Sequence, residues 1–293
     1  MPLVPNIPKQ YPVTVFSSLD ENAPKLTAEK GSLKTVLKAC LINGYGDKAG
    51  LNWQVADETA ERAVFYSTDP DAHGHGLMVD NSINKNFIRA YMVGGENFET
   101  KLSTYSSDSY HNFPYCSEYG PLRWYLIATR RAFALVIWRN NRVQCLFFGD
   151  VAGFYQDKGN TALCHWAYQN QTTFSPCDFY NNNKPPQIIR SQWQGDGNAP
   201  LSAKNATFSS AFLSHKFAYP DAVYQDASTS AIVLLDNTTP RAVLPLMACA
   251  HDLNNIPDCD ELVTGDRRLM KLNIGYSVYA ENNFLLPLDY WEI

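Results

Sequence analysis

Between Trp124 and Val151 three apolar runs, WYLIAT, AFALVIW and RVQCLFFGDV, follow one another with only Arg130-Arg131 and Arg139-Asn140-Asn141 between them. Each run is short, rich in β-branched and aromatic residues, and closed by charge or by Asn. Breaks this brief leave room only for tight turns, so the stretch reads as a three-stranded antiparallel meander. It constrains architecture and carries no chemistry.

The same logic extends in both directions. ERAVFYSTD, GLMVDNS and NFIRAYMVGG, each followed by turn-forming residues, predict a second meander ahead of the first. In SLKTVLKACLINGYGDKAGLNW, Leu33, Val36, Leu37, Cys40 and Leu41 recur at helical spacing, and Gly44, Gly46 and Gly50 follow as stop signals. A short amphipathic helix ending at the glycines is expected there. Late in the chain STSAIVLLD and RAVLPLMACA, joined across Asn237 to Pro240, and then LMKLNIGYSVYA and NNFLLPLDYWEI, return to strand patterning. Between them the stretch from 153 to 215 is dense in Asn, Gln, Ser and Pro, and loops of that length are usually interaction surfaces. The expected fold is mainly β: antiparallel sandwich-like sheets built from meanders, with one short N-terminal helix and long loops. Its parts are a Pro-rich arm (1–20), a β-rich domain (21–152), an Asn-, Pro- and aromatic-rich loop region (153–215), and C-terminal strands (216–293) that either complete the same domain or form a second one.

At 293 residues the chain can bury a large core without a disulfide or metal staple. Charged residues make up 18% and apolar residues 45%, against roughly 25% charged in an ordinary soluble domain. A charge-poor surface rich in Tyr and Asn suits packing against other chains. The net charge of -5 is spread without a long run of one sign, so no basic stripe is available for nucleic acid. No apolar run approaches the roughly 20 residues of a membrane-spanning helix, and no membrane insertion is expected. Met1 to Pro12 lacks the pattern of a secretory signal, and its four prolines, Pro2, Pro5, Pro8 and Pro12, favour an extended path. An arm draped along a neighbouring subunit and an unordered terminus fit that composition equally.

Three constellations invite a chemical reading. Asp69-Pro70-Asp71-Ala72-His73-Gly74-His75-Gly76 places two carboxylates and two histidines together, and His73 and His75 would be the metal ligands. Its residues are equally those of a connection between strands. Cys164, His165, Cys177, Cys249, His251 and Cys259 would suffice for a zinc site, but the spacings match no close Cys-pair pattern, and buried structural thiols are the better reading. The seven cysteines, odd in number and scattered, fit a reduced compartment. The acidic stretch Asp252 to Asp266 lacks the ligand alternation of a calcium loop. No GxSxG, GxxxxGK[ST] or HExxH motif is present. The expectation is a non-enzymatic protein without cofactor or metal.

The segment Val36 to Trp53, VLKACLINGYGDKAGLNW, resembles the opening of a family of uncharacterised virion proteins encoded by tailed bacteriophages and prophages. The order of later landmarks is also similar: strands like Ala63 to Thr68, Leu77 to Asp80 and Phe87 to Val93, a Trp-led meander like Trp124 to Trp138, a Phe-Phe-Gly-Asp strand end at Leu146 to Asp150, and a closing segment like Leu269 to Trp291. The resemblance implies a structural role in the virion, assembled in the bacterial host cytoplasm, and no catalytic residues. The place expected for it is the tail, tail tip or baseplate before head or neck, with other virion proteins and further copies of the chain as partners.

Within that expectation Pro2, Pro5, Pro8 and Pro12 are candidate subunit contacts, and Trp166, Phe179, Tyr180 and Trp193 candidate partner or ligand contacts. The competing reading is a carbohydrate-binding or receptor-binding module for the bacterial surface, in which the same aromatic residues stack on sugar faces. A metal-dependent hydrolase using His73, His75 or the Cys/His group is a third.

Overall fold

The structure, a computed structural model, describes residues 7–27, 29–72, 75–80, 87–94, 111–114, 121–139, 142–153, 162–167, 187–189, 206–219, 222–236, 239–249, 253, 255–273 and 283–293. It is built from antiparallel sheets and, among the described residues, one helix, so the mainly-β expectation holds.

The meander that opens the sequence reading forms the heart of the molecule. β8 (Arg123–Ala128), β9 (Ala132–Arg139) and β10 (Arg142–Asp150) pair in succession, flanked by β2 (Thr14–Ser17) on one side and by β12 (Ala162–Ala167) and β13 (Gln187–Ile189) on the other. Side chains alternate between two faces, and here both faces are covered. Trp124, Leu126, Ala128, Phe133, Leu135, Ile137, Leu146 and Phe148 enter one core, while Tyr125, Ile127, Ala134, Val136, Cys145 and Phe147 enter another. A strand buried on both sides has no reason to alternate apolar with polar. That is why WYLIA, AFALVI and CLFF run almost unbroken.

The first core is closed by a five-stranded sheet and a helix. The sheet runs in chain order through β3 (Trp53–Ala56), β4 (Arg62–Ser67), β5 (His75–Asp80), β6 (Phe87–Gly94) and β7 (His111–Pro114). The helix α1 (Ser32–Lys38) buries Leu33, Val36 and Leu37, then widens into one π-helical turn, Ala39–Asn43, that buries Cys40 and Leu41. It ends at Gly44, whose φ of +74° and approach to the Lys48 carbonyl, 2.3 Å from where a Cβ would stand, admit no larger residue. Helix and stop signal lie where the spacing placed them.

The second core is closed by a barrel. β14 (Ala206–Tyr219), β15 (Ala222–Asp236) and β16 (Thr239–Cys249) form one meander, and β17 (Glu261–Thr264), β18 (Arg267–Asn273) and β19 (Asn283–Pro287) form another. β14 pairs with β17 and β16 with β19, so the six strands close into an antiparallel ring. β11 (Ala152–Gly153) adds to the first half of β16. From the outer face of the ring Leu244, Leu246, Met270, Leu272, Phe284 and Leu286 pack onto the central sheet. Its inner face carries Cys249, Leu262, Leu269 and Leu285, which pack with Leu253 and Ile256 of the β16–β17 connection. Closure pairs the two ends of the sheet with each other, the usual way an all-β unit limits stray pairing, with β14 meeting β17 at Ala218 opposite Val263. The second core thus holds Tyr11 near the start of the chain together with the central meander and the late strands.

Three indoles, Trp53, Trp124 and Trp291, are at most 2% exposed. Each donates to a backbone carbonyl, of Thr129 (3.1 Å), Pro24 (3.1 Å) and Pro287 (2.9 Å) respectively, which removes the cost of burying the N–H.

The loose appearance of 153–215 conceals strands. β12, β13 and the first residues of β14 fall inside it. ATFSSAFLSHKFAY reads as loop because serine and alanine dilute the apolar signal, yet its thirteen registered partners with β15 come from backbone groups that any residue supplies.

Candidate functional site

The described residues place the best-formed polar cluster at the turn between β8 and β9, where the chain's first and last strands also meet. Thr129 organises the turn: its amide donates to the Ala132 carbonyl at 2.8 Å, and its hydroxyl accepts from the amides of Arg131 (3.1 Å) and Ala132 (3.0 Å). Arg131 is thereby turned inward and is only 4% exposed. Its guanidinium binds the carboxylate of Asp150, itself fully buried, with Nε donating at 2.5 Å, while Nη1 donates to the hydroxyl of Tyr11 at 2.8 Å. The same guanidinium lies 5.0 Å from the centre of the Tyr11 ring.

Tyr11 brings the chain's beginning to this point. β1 (Gln10–Pro12) pairs with β20 (Tyr290–Glu292), and Lys9 and Ile293 exchange both backbone hydrogen bonds at 3.0 Å. Trp291 on β20 packs against Phe147 of the central sheet at 5.8 Å between ring centres. At the outer rim Lys9 reaches Asp71 at 2.8 Å. One residue beyond β1, Val13 donates to the Asp289 carbonyl at 2.9 Å, and β2 then joins the edge of the central sheet.

A second knot holds the far end of that segment. The Asp20 carboxylate accepts from Lys48 Nζ (2.6 Å), the Tyr45 hydroxyl (2.9 Å) and the Ser17 amide (2.8 Å). Burial alone would raise the Asp20 pKa, but these three donors outweigh it and hold the group below its ordinary value. Tyr45 and Cys40 beneath are both pushed up, chiefly by burial, and stay protonated. The GYGDK loop is thus anchored to β2 through Tyr45 and Lys48.

The residues singled out from the sequence are dispersed. Pro8 and Pro12 are exposed, Pro8 just ahead of β1 and Pro12 within it opposite Tyr290, while Pro2 and Pro5 lie outside the described residues. Trp166 sits on β12 opposite Leu146, and Phe179, Tyr180 and Trp193 lie outside the described residues. His75 opens β5 opposite Gly94, and His73 is outside. Cys164 and His165 are on β12 opposite Phe148 and Phe147; Cys177 and His251 are outside. Cys249 and Cys259 belong to different cores, the first inside the barrel and the second between barrel and central sheet. Among the described residues no three His, Cys, Asp or Glu form a metal-sized group. In the acidic stretch Asp258 pairs with Lys271 (2.8 Å) and Glu261 with Arg268 (2.6 Å), so two of its carboxylates serve the barrel itself.

Sequence reading missed the Arg131–Asp150–Tyr11 triad. Its one available signal was a polar pair, Arg130-Arg131, wedged between two largely apolar runs. No protein-family model, curated protein or solved structure matches the chain. Among the described residues no helix is long and apolar enough to cross a membrane.

Proposed function

We propose that the protein is a non-enzymatic structural component of a tailed-phage particle, belonging to the tail, its tip or the baseplate and acting through subunit assembly. The reading rests on the resemblance carried by Val36 to Trp53, and one structural observation supports it: Lys38, Cys40, Tyr45 and Lys48 of that motif build scaffold. Lys38 pairs with Glu58 (2.7 Å), Tyr45 and Lys48 converge on Asp20, and Cys40 is buried. A motif spent on anchoring a loop suits a protein whose product is shape.

Mass spectrometry of virions purified from a phage lysate tests this. The chain should appear at a fixed copy number per particle, and its absence from particles overturns the proposal. A chain absent from particles that binds on a glycan array through Trp166 would be read instead as the carbohydrate-binding module.

A further inference from the structure

The segment Lys9–Ser17 is held as an edge on two separate sheets: among the described residues β1 pairs only with β20, and β2 is the last strand of the central sheet. Nine extended residues span about 30 Å. Apart from the turn bonds of Ser17 with Leu19 and Asp20, which lie at the hinge, the contacts that hold it reach distant parts of the chain. Tyr11 meets Arg131 across 120 positions, and Lys9 meets Asp71 across 62. Such contacts are the same whether made within one chain or between two, so only the hinge and the local concentration decide.

Among the residues whose side chains the structure describes, three large apolar ones are exposed, and two of them bracket this segment: Ile7 is 82% exposed at its start and Leu19 is 68% exposed at its end. Leu19 sits in the turn of Ser17 to Ala23, beside Asn22 with its φ of +62°. An isolated exposed leucine is unremarkable. A pair flanking a separable edge strand marks the places where a second chain would cover it.

We infer that Lys9–Ser17 is an exchangeable strand, which in the assembled state occupies the same two sheet edges on a second copy of the chain, hinging at Ser18 to Ala23. The occupant is identified by complementarity, because the site already fits this sequence: a slot for the Tyr11 ring under Arg131, one for Phe16 in the first core, and a carboxylate for Lys9. This deepens the assembly reading above and names its partner.

The exposed Lys9–Asp71 pair supplies the test without altering the protein. Full-length chains labelled with light and heavy nitrogen are unfolded, mixed in equal amounts and refolded together. Monomer and oligomer are separated by size, and each is treated with a zero-length carbodiimide that joins the lysine to the carboxylate. In monomer the cross-linked peptides should be all light or all heavy. In oligomer about half should join one light and one heavy peptide, the statistical limit for a swapped closed assembly. An oligomer whose Lys9–Asp71 cross-links stay isotopically pure overturns the exchange and leaves the virion reading standing. A protein that stays monomeric at every attainable concentration overturns the exchange, while particle copy number still decides the virion role.

Discussion

Asp150 is completely buried and paired with the Arg131 guanidinium, which is held in turn by the hydroxyl of Tyr11. The triad ties the start of the chain to the end of β10. Removing one member of a buried pair strands the other charge without solvent, whereas replacing both with apolar groups removes the problem. Asp150→Ala should therefore lower unfolding free energy by about 3–5 kcal/mol. Tyr11→Phe, which keeps the ring and loses one charged hydrogen bond, should cost about 1–2 kcal/mol. The joint replacement Arg131→Met with Asp150→Leu should cost less than Asp150→Ala alone. Urea unfolding of the three variants checks the order, and a double replacement worse than the single one contradicts it.

Gly149 stands beside Asp150 with φ +127°, and a Cβ there would lie 2.4 Å from both the Ala132 Cα and the Arg131 carbonyl. Backbone conformation and space both exclude a side chain at this point. Gly149→Ala should cost about 3 kcal/mol or more, from strain and crowding together. Recovery of soluble protein and thermal melting report it; a melting temperature like that of the parent would show that β9 and β10 are not so closely apposed.

The sequence made the central meander readable because double burial removes alternation and leaves long apolar runs that only strands of that length can satisfy. The helix was readable because Leu33, Val36, Leu37, Cys40 and Leu41 share one face and glycine ends it. β14 was not, since Ser209, Ser210 and Ser214 give no pattern and its stability comes from pairing with β15. Arg131 looked like a solvated turn residue for a related reason. Its partners lie 19 and 120 positions away, and nothing local distinguishes an arginine that turns inward. Closure of the barrel through β16 with β19 is equally invisible, because register between distant strands is set by the assembled core.

Asp20 gives the fold a defined acid limb. Its folded pKa lies below the ordinary 3.8, so the carboxylate's contribution is complete above that value and is lost as pH falls through the lower, folded one. At neutral pH the parent should be more stable than Asp20→Asn. As the protein is acidified below 3.8 the difference should shrink, because a protonated Asp20 offers Lys48 and Tyr45 little more than an amide does. Denaturant midpoints of the two proteins, measured from neutral to about pH 2.5, should converge. A gap that stays constant across that range would show that Asp20 is not the anchor of the GYGDK loop.

The cysteines allow a count. Cys40, Cys145, Cys249 and Cys259 are buried and outside any disulfide, and burial pushes the Cys145 and Cys259 thiols up to about 12. A thiol reacts as its thiolate and must be reached by the reagent, so both conditions fail in the folded state. Of the seven cysteines, no more than three should then react with a water-soluble disulfide reagent near pH 8 without denaturant, and all seven once the protein is unfolded. The slow appearance of further thiols would report opening of the cores that Cys40, Cys145, Cys249 and Cys259 occupy. Its rate should rise in Tyr11→Phe if release of β1 loosens the core beneath it, since Cys145 and Cys259 share that core with Tyr11 and Trp291. A fourth thiol that reacts as fast as the first three in the parent protein would show that at least one of these four side chains is open to solvent.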